Sequence, residues 1–307
     1  MDPQFNAHYP FSNTAKKHIG TMRVDVDYSL IEMGKRRLSE ALLKGKISTI
    51  SASFGRGDEV ASYAVARMIV SLIPGRQVIE RYAVAEAKRA SSYLKSDTDE
   101  NISTIAKDFG LGEGPETGVV QYLRYSPQAP EYKLINRRLE NGRVFLSKNE
   151  FIRVIEEAIR IRISSSLPIK VRNPPPILKE AAEELQASLP KAPKIEPRVP
   201  GETPPCIIYL TESLNRGENL SHAARWTLTI YMLRTGMSER EIIKLFSNAP
   251  DYDERITRYQ VEYIRRKGYN MPSCKLMDSH GICVNRCGIH NPLSYKGKRF
   301  NKYAEKK

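Results

Sequence analysis

NMPSCKLMDSHGICVNRCGIHNPL, residues 270–293, carries three of the chain's four cysteines, Cys274, Cys283 and Cys287, and few large apolar side chains. A segment so poor in core-forming residues needs something other than hydrophobic burial to fix its shape. Metal ligation is such a device, because it couples directly to folding. The fourth cysteine, Cys206, lies upstream in the same final third of the chain. Four thiolates suit either a tetrahedral zinc or one iron–sulfur cluster. The gaps do not choose between them, since neither the eight residues between Cys274 and Cys283 nor the three before Cys287 makes a Cys-x-x-Cys pair or a ferredoxin run. The plain alternative is four free buried thiols, as cysteine is among the most buried residue types. Four cysteines complete a site, so His280 and His290 read as surface or hydrogen-bonding histidines.

Upstream of this stretch, residues 168–205 hold 10 of the 19 prolines, a density that no long helix or central strand sustains. They read as a linker, with a short Ala/Glu-rich helix expected at 177–189. The chain therefore divides into an N-terminal domain at 1–167, the linker at 168–205, and a C-terminal domain at 206–307. Net charge is +14, and the C-terminal third carries 18 Lys and Arg against 10 Asp and Glu. Its basic excess is densest where the cysteines are, which favours a polyanionic partner. No stretch reaches the roughly 20 apolar residues of a membrane helix, and no secretory signal pattern opens the chain. A soluble protein of the reducing cytoplasm, associated with the nucleoid and with no membrane partner, is the expectation.

Helical spacing of apolar residues predicts helices over 58–73 and 77–94, paired antiparallel across Pro74-Gly75. Strands are expected at 119–125, 133–139 and 143–146, the last two joined by an Asn141-Gly142 hairpin turn. Ser147-Lys148-Asn149-Glu150 is a capping box that starts a helix running to about residue 163. Beyond the linker, helices are expected at 221–235, 239–246 behind the capping box at Ser238 and Glu241, and 254–267, with loops dominating from Tyr269. The fold class is mainly α, with a small α/β subdomain in the N-terminal region and a second, mostly helical domain at the C-terminus.

Three further features bear on chemistry. His222 and Arg225 stand three apart near a helix N-terminus, a place that favours anions. Arg255, Arg258, Arg265, Arg266 and Lys267 alternate with Tyr259 and Tyr263 on the next long helix, so phosphates could be neutralised while bases stack. The plain alternative has the tyrosines packing inward and the arginines forming a solvated face. Asp25-Val26-Asp27 invites a two-metal reading, but no third acid can be placed beside it, and Gly55-Arg56-Gly57 lacks the lysine and hydroxyl of a phosphate loop.

Taken together, Pro204-Pro205-Cys206, the run from Asn219 to Arg225, Arg258-Tyr259-Gln260-Val261, Pro272-Ser273-Cys274, Cys283, Cys287 and the run from His290 to Leu293 resemble the large, regulatory subunit of archaeal and eukaryotic DNA primases. A looser likeness to the archaeal form extends through residues 81–88 and 122–125. The resemblance implies one [4Fe–4S] cluster on Cys206, Cys274, Cys283 and Cys287. It also implies catalytic carboxylates on a separate small subunit, so that this chain would have no catalytic residue of its own. The C-terminal domain would hold template DNA and the 5′-triphosphate of the initiating nucleotide or RNA primer. By position, His222 and Arg225 match triphosphate contacts, Asn219 a neighbour in that pocket, and Tyr259 a nucleic-acid contact. Eukaryotic relatives commonly place an arginine at the position of Ser221, a phosphate contact that Arg216 could supply here. Arg258, Arg255 and Arg265 are further nucleic-acid candidates. The N-terminal region would dock the small catalytic subunit, with Tyr122, Leu123 and Tyr125 as anchors, and a third, accessory subunit is left open. A stand-alone, zinc-stabilised nucleic-acid-binding protein is the alternative.

Overall fold

Hydroxyl and carboxylate caps set many of the helix starts in this chain. The computed structural model describes residues 3–21, 28–48, 56–127, 129–189 and 203–296. Asp25, Asp27 and Gly55 lie outside the described residues, and no helix among those described is long and apolar enough to cross a membrane. The chain forms two compact units, residues 1–190 and 191–307.

The first unit contains α1 (Pro3–His8), α2 (Asn13–Thr21), α3 (Tyr28–Ser39), α4 (Arg56–Leu72), α5 (Arg76–Leu94), α6 (Asp99–Lys107), β1 (Glu116–Gly118), α7 (Val119–Tyr125), β2 (Arg138–Glu140), β3 (Arg143–Phe145), α8 (Lys148–Ser165) and α9 (Pro176–Ser188). Gly75, at φ 110°, joins α4 to α5, yet α4 packs chiefly on α3, and α5 chiefly on α8. The α3–α4 approach is close because of Gly34, where a Cβ would meet the Val65 side chain at 2.5 Å. Helix α5 is buried nearly all round, its Ala83, Ala85, Ala87 and Ala90 letting neighbours come near. That burial also traps charge. Arg37 of α3 is fully buried and grips Glu86 with two parallel bonds, Nε to Oε1 at 2.6 Å and Nη2 to Oε2 at 2.7 Å. Its Nη1 reaches Glu59 at 2.9 Å, and Arg89 bonds the same Glu59 carboxylate. Burial alone would raise the Glu86 carboxyl, but the Arg37 guanidinium overrides it and holds the group below the ordinary carboxylate range.

The small sheet has order β1-β3-β2 and is antiparallel throughout, with Arg138 opposite Phe145 and Glu140 opposite Arg143. Its turn residues, Asn141 and Gly142, both take the positive φ expected of a tight hairpin. The predicted strand at 133–139 shortens to β2, residues 134–136 forming a 3-10 turn instead. The strand expected at 119–125 is helix α7. Seven residues are too few for period alone to separate strand from helix. Here Val119, Tyr122 and Tyr125 recur at helical spacing and turn toward the core. Tyr122 is accordingly a core residue and not an exposed anchor: its ring is wholly buried, and its hydroxyl donates to the Tyr132 carbonyl at 2.7 Å. Tyr125 is half-buried, edge-on to Phe109, and Leu123 is 58% exposed.

The capping box predicted at Ser147 and Glu150 forms and starts α8, with Phe151, Val154, Ile155, Ala158 and Ile159 buried along it. The helix expected inside the linker forms as α9. It does not ride free: Leu178, Ala181, Ala182 and Leu185 make a complete i, i+3, i+4, i+7 stripe buried against α3 and α4, so the first unit extends to Pro190.

The second unit contains α10 (Pro205–Asn215), α11 (His222–Arg234), α12 (Glu239–Phe246), α13 (Glu254–Lys267) and α14 (Cys274–Ser279). Side chains of Ser221, Ser238, Asp253 and Ser273 cap the last four of these. Gly268, in the left-handed conformation at φ 62°, ends α13. Leu210, Leu214, Leu228, Ile242, Leu245, Val261 and Met277 form its core.

Candidate cluster site and nucleotide pocket

Cys206 occupies the first turn of α10 behind Pro204-Pro205, and Cys274 opens α14 behind its Ser273 cap. The Cys274 amide donates to the His290 carbonyl at 2.8 Å and so closes the base of the loop that carries the other two cysteines. Met277 and Ile282 anchor that loop in the core. All four cysteines line one cavity of about 320 Å³, together with Pro204, Met277, Ile289 and Pro292. The Cys283 and Cys287 thiols both point to the Asn285 carbonyl, at 3.3 and 3.5 Å. His280 and His290 are exposed and do not line the cavity.

The electrostatics of the cavity suit a cation. Burial, and then the mutual repulsion that ionised thiols would feel, pushes Cys206 up to about 12 and raises Cys274 and Cys287 as well. Cys206, Cys274 and Cys287 thus keep their protons unless positive charge compensates them, which is what a bound metal or cluster supplies. No three ligand side chains among the described residues are arranged to hold a single metal ion. The donor set fits a metal group in type and number, four thiols around one hollow.

A second cavity, about 200 Å³, lies between α11 and α13. Ser221 accepts from the Ala224 amide at 3.2 Å, which fixes the start of α11 and sets His222 and Arg225 one turn apart on its first turns. Both line the cavity, with Trp226 and Thr229 behind them. The opposite wall is α13, through Tyr259, Gln260 and Tyr263, and Tyr269 closes one side. The aromatic rings form a series: Tyr259 to Tyr263 at 6.2 Å, Tyr263 to Tyr269 at 6.4 Å, Tyr269 to Trp226 at 5.6 Å. Arg266 and Lys267 each sit 5.7 Å from the centre of the Tyr263 ring. Tyr259 is 64% exposed and Tyr263 half-buried, so neither packs inward; Val261 and Ile264 are what α13 buries.

Of the residues that sequence points to, the fold brings His222, Arg225 and Tyr259 to one cavity, and Asn219 joins them by accepting from Arg225 Nη2. Others stand apart. Arg216 is at the end of α10, bonded to Glu218 at 2.7 Å, and Arg258 pairs with Glu254 one turn back at 2.6 Å. Arg255 is exposed, and Arg265 pairs with Glu239 beside a neighbouring hollow of about 460 Å³. Trp226, Gln260 and Tyr269 are pocket residues that sequence reasoning missed. Trp226, the chain's one tryptophan, directly after Arg225, was a usable signal.

Comparison with known proteins gives the family of the chain. Residues 197–305 match the family of the eukaryotic and archaeal DNA primase large subunit, C-terminal domain. Over the wider chain, the DNA primase large subunit PriL of Methanosarcina acetivorans is 32% identical, across 98% of this chain and 89% of its own length. The PriL of Methanococcoides burtonii is 32% identical across 97% and 93%, and that of Halobacterium salinarum 31% across 94% and 92%. With the likeness running through both units and nearly end to end, the chain belongs to the archaeal DNA primase large-subunit family, the non-catalytic side of that enzyme.

Proposed function

We propose that this subunit holds template DNA and the 5′-triphosphate of the initiating nucleotide or RNA primer, while a small catalytic subunit joins the nucleotides. The observation that carries this reading is the pocket where His222 and Arg225 face Tyr259 across α11 and α13. A guanidinium fork and helix-start amides suit phosphate oxygens. The exposed Tyr259 ring, with the half-buried Tyr263 between it and the Arg266 and Lys267 charges, suits unpaired bases and their backbone. Arg258, Arg255 and Arg265 would add general backbone attraction from outside the pocket.

Cys206, Cys274, Cys283 and Cys287 would hold one [4Fe–4S] cluster. The support is their shared cavity and the family match across the same residues. When bound, the cluster supplies ligation that ties the start of α10 to the loop beyond α14, a stretch with little apolar burial of its own. A stand-alone zinc protein is the rival, and it gives no account of the likeness through the first unit. That unit would dock the catalytic subunit through the α7 and hairpin face, where Val120, Leu123, Ile135 and Leu139 are exposed.

The test is affinity for primer–template duplexes that differ in the primer's 5′ end. Arg225→Ala should weaken the 5′-triphosphate duplex about tenfold to a hundredfold, the worth of one charge-assisted contact. The 5′-hydroxyl duplex should change far less. Equal losses on both ends would reduce Arg225 to an ordinary basic surface residue.

A further inference from the structure

The Arg225 guanidinium is held from outside the pocket it serves. Its Nε donates to the Leu220 carbonyl at 3.0 Å, and its Nη2 donates to Asn219 Oδ1 and, at 2.5 Å, to Asp251 Oδ1. Nη1 is the nitrogen that these three oxygens leave uncommitted. Asp251 precedes α13 and is not among the residues lining the cavity. The two side chains are 24% and 27% exposed, so their pairing is partly shielded from water. The first turn of α11 and the approach to α13 are thereby tied together beside the pocket.

We infer that Asp251 is a positioning residue for the 5′-phosphate pocket, fixing Arg225 so that Nη1 meets the phosphate. This rests on the reading of that pocket given above. A carboxylate in this place has two effects of opposite sign. It restrains a long, rotamer-rich side chain before the ligand arrives, which lowers the entropy lost on binding. It also sets a negative charge beside an anionic ligand, which weakens attraction. A 5′-hydroxyl end gains nothing from the restrained guanidinium and is not repelled by the charge, so restraint raises the preference for phosphorylated ends, the charge offsets part of that gain, and restraint is the larger of the two.

Binding of fluorescent primer–template duplexes, 5′-triphosphate or 5′-hydroxyl, to the whole 307-residue chain at one fixed salt concentration separates the two effects. Asp251→Asn keeps a side-chain oxygen for Nη2 and removes the charge. It should bind the 5′-triphosphate duplex about fivefold tighter, the worth of one unit charge near 4 Å in water-like surroundings, and the 5′-hydroxyl duplex as wild type, so the end preference rises by the same factor. Asp251→Ala removes both. Its preference for the 5′-triphosphate should fall about tenfold, toward that of Arg225→Ala. If Asp251→Ala keeps the wild-type preference, or if both variants lose it alike, the inference is overturned. A lowered melting point in Asp251→Ala leaves Asp251→Asn to decide, through its predicted gain. If Arg225→Ala itself leaves the preference intact, the triphosphate reading falls; if Arg225→Ala abolishes the preference and both Asp251 variants keep it, only the role of Asp251 falls.

Discussion

Replacing Arg37 with Met should be among the most damaging single changes in the first unit, although its neighbours Lys35 and Arg36 suggest an ordinary basic helix face. Methionine fills much of the same volume, so the loss is chiefly of charge and hydrogen bonds. It strands Glu86, which is 1% exposed and loses both of its parallel bonds, and it removes one partner of Glu59. Breaking a buried pair by deleting one member costs about 3–5 kcal/mol, and the bidentate geometry puts this pair in the upper part of that range. For a unit of this size, a kilocalorie moves the midpoint by roughly 2–4 °C, so a drop on the order of 10 °C or more is expected at pH 7. The pH dependence carries the mechanism. In the wild type, Glu86 titrates below its unfolded value, so its contribution is present above about pH 4.5 and fades as pH falls through the folded value. Without Arg37, burial raises the same carboxyl above its unfolded value. The variant should then gain relative stability as pH is lowered from 7 toward 5, because its folded state can take up the proton. The double variant Arg37→Met, Glu86→Leu should recover most of the loss, since no unpaired charge is left inside. Urea unfolding followed by far-UV circular dichroism at pH 5 and 7 measures all three. A single variant that costs under about 1 kcal/mol at pH 7, or a double variant no more stable than the single, would refute the reasoning.

Three other outcomes are expected. Changing any one of Cys206, Cys274, Cys283 and Cys287 to Ser should lose iron and sulfide from anaerobically purified protein and loosen the second unit, with the first unit's melting unchanged; full iron in Cys283→Ser would remove Cys283 from the ligand set. Leu123→Asp should weaken capture of the catalytic subunit about tenfold or more without lowering the melting point, whereas Tyr122→Ala should destabilise the first unit by about 3–5 kcal/mol as a core aromatic does. Tyr259→Ala should weaken single-stranded template binding by about 1–3 kcal/mol, and Tyr259→Phe, which keeps the ring face, should bind nearly as wild type in the same titration.

What sequence made legible, and what it hid, divides along physical lines. Helices announced by a capping box emerged with nearly their expected bounds: α8 behind Ser147 and Glu150, and α12 behind Ser238 and Glu241. These signals are local, and nothing distant overrides them. Helix α7 was hidden because seven residues give two turns at most, and the β-branched and aromatic residues of Val119–Tyr125 favour a strand by type until the core they face is known. Proline density marked the region between the units but misplaced its edge, since the stripe of α9 docks on α3 and α4 despite the prolines around it.

The sites show the same division more sharply. Cysteine type and number spoke for a metal group, yet no spacing rule joined Cys206 to the loop beyond Cys274; only the fold turns the first turn of α10 into the same cavity. His222 and Arg225 could be paired in advance because three residues on a helix fix a shared face. Tyr269 and Asp251 could not, for they reach Trp226, Tyr263 and Arg225 from the segments after and before α13. What converts a basic, aromatic helix into a discriminating pocket is therefore tertiary. In the proposed function, the ring series from Tyr259 to Trp226 would offer a surface that any base can stack on, and restraint on one guanidinium would supply the preference for a particular end. On this reading, affinity for nucleic acid resides mainly in α13 and selectivity in the start of α11. Changes on α13 should then shift binding of all ends together, while changes around Arg225 shift one end against the other.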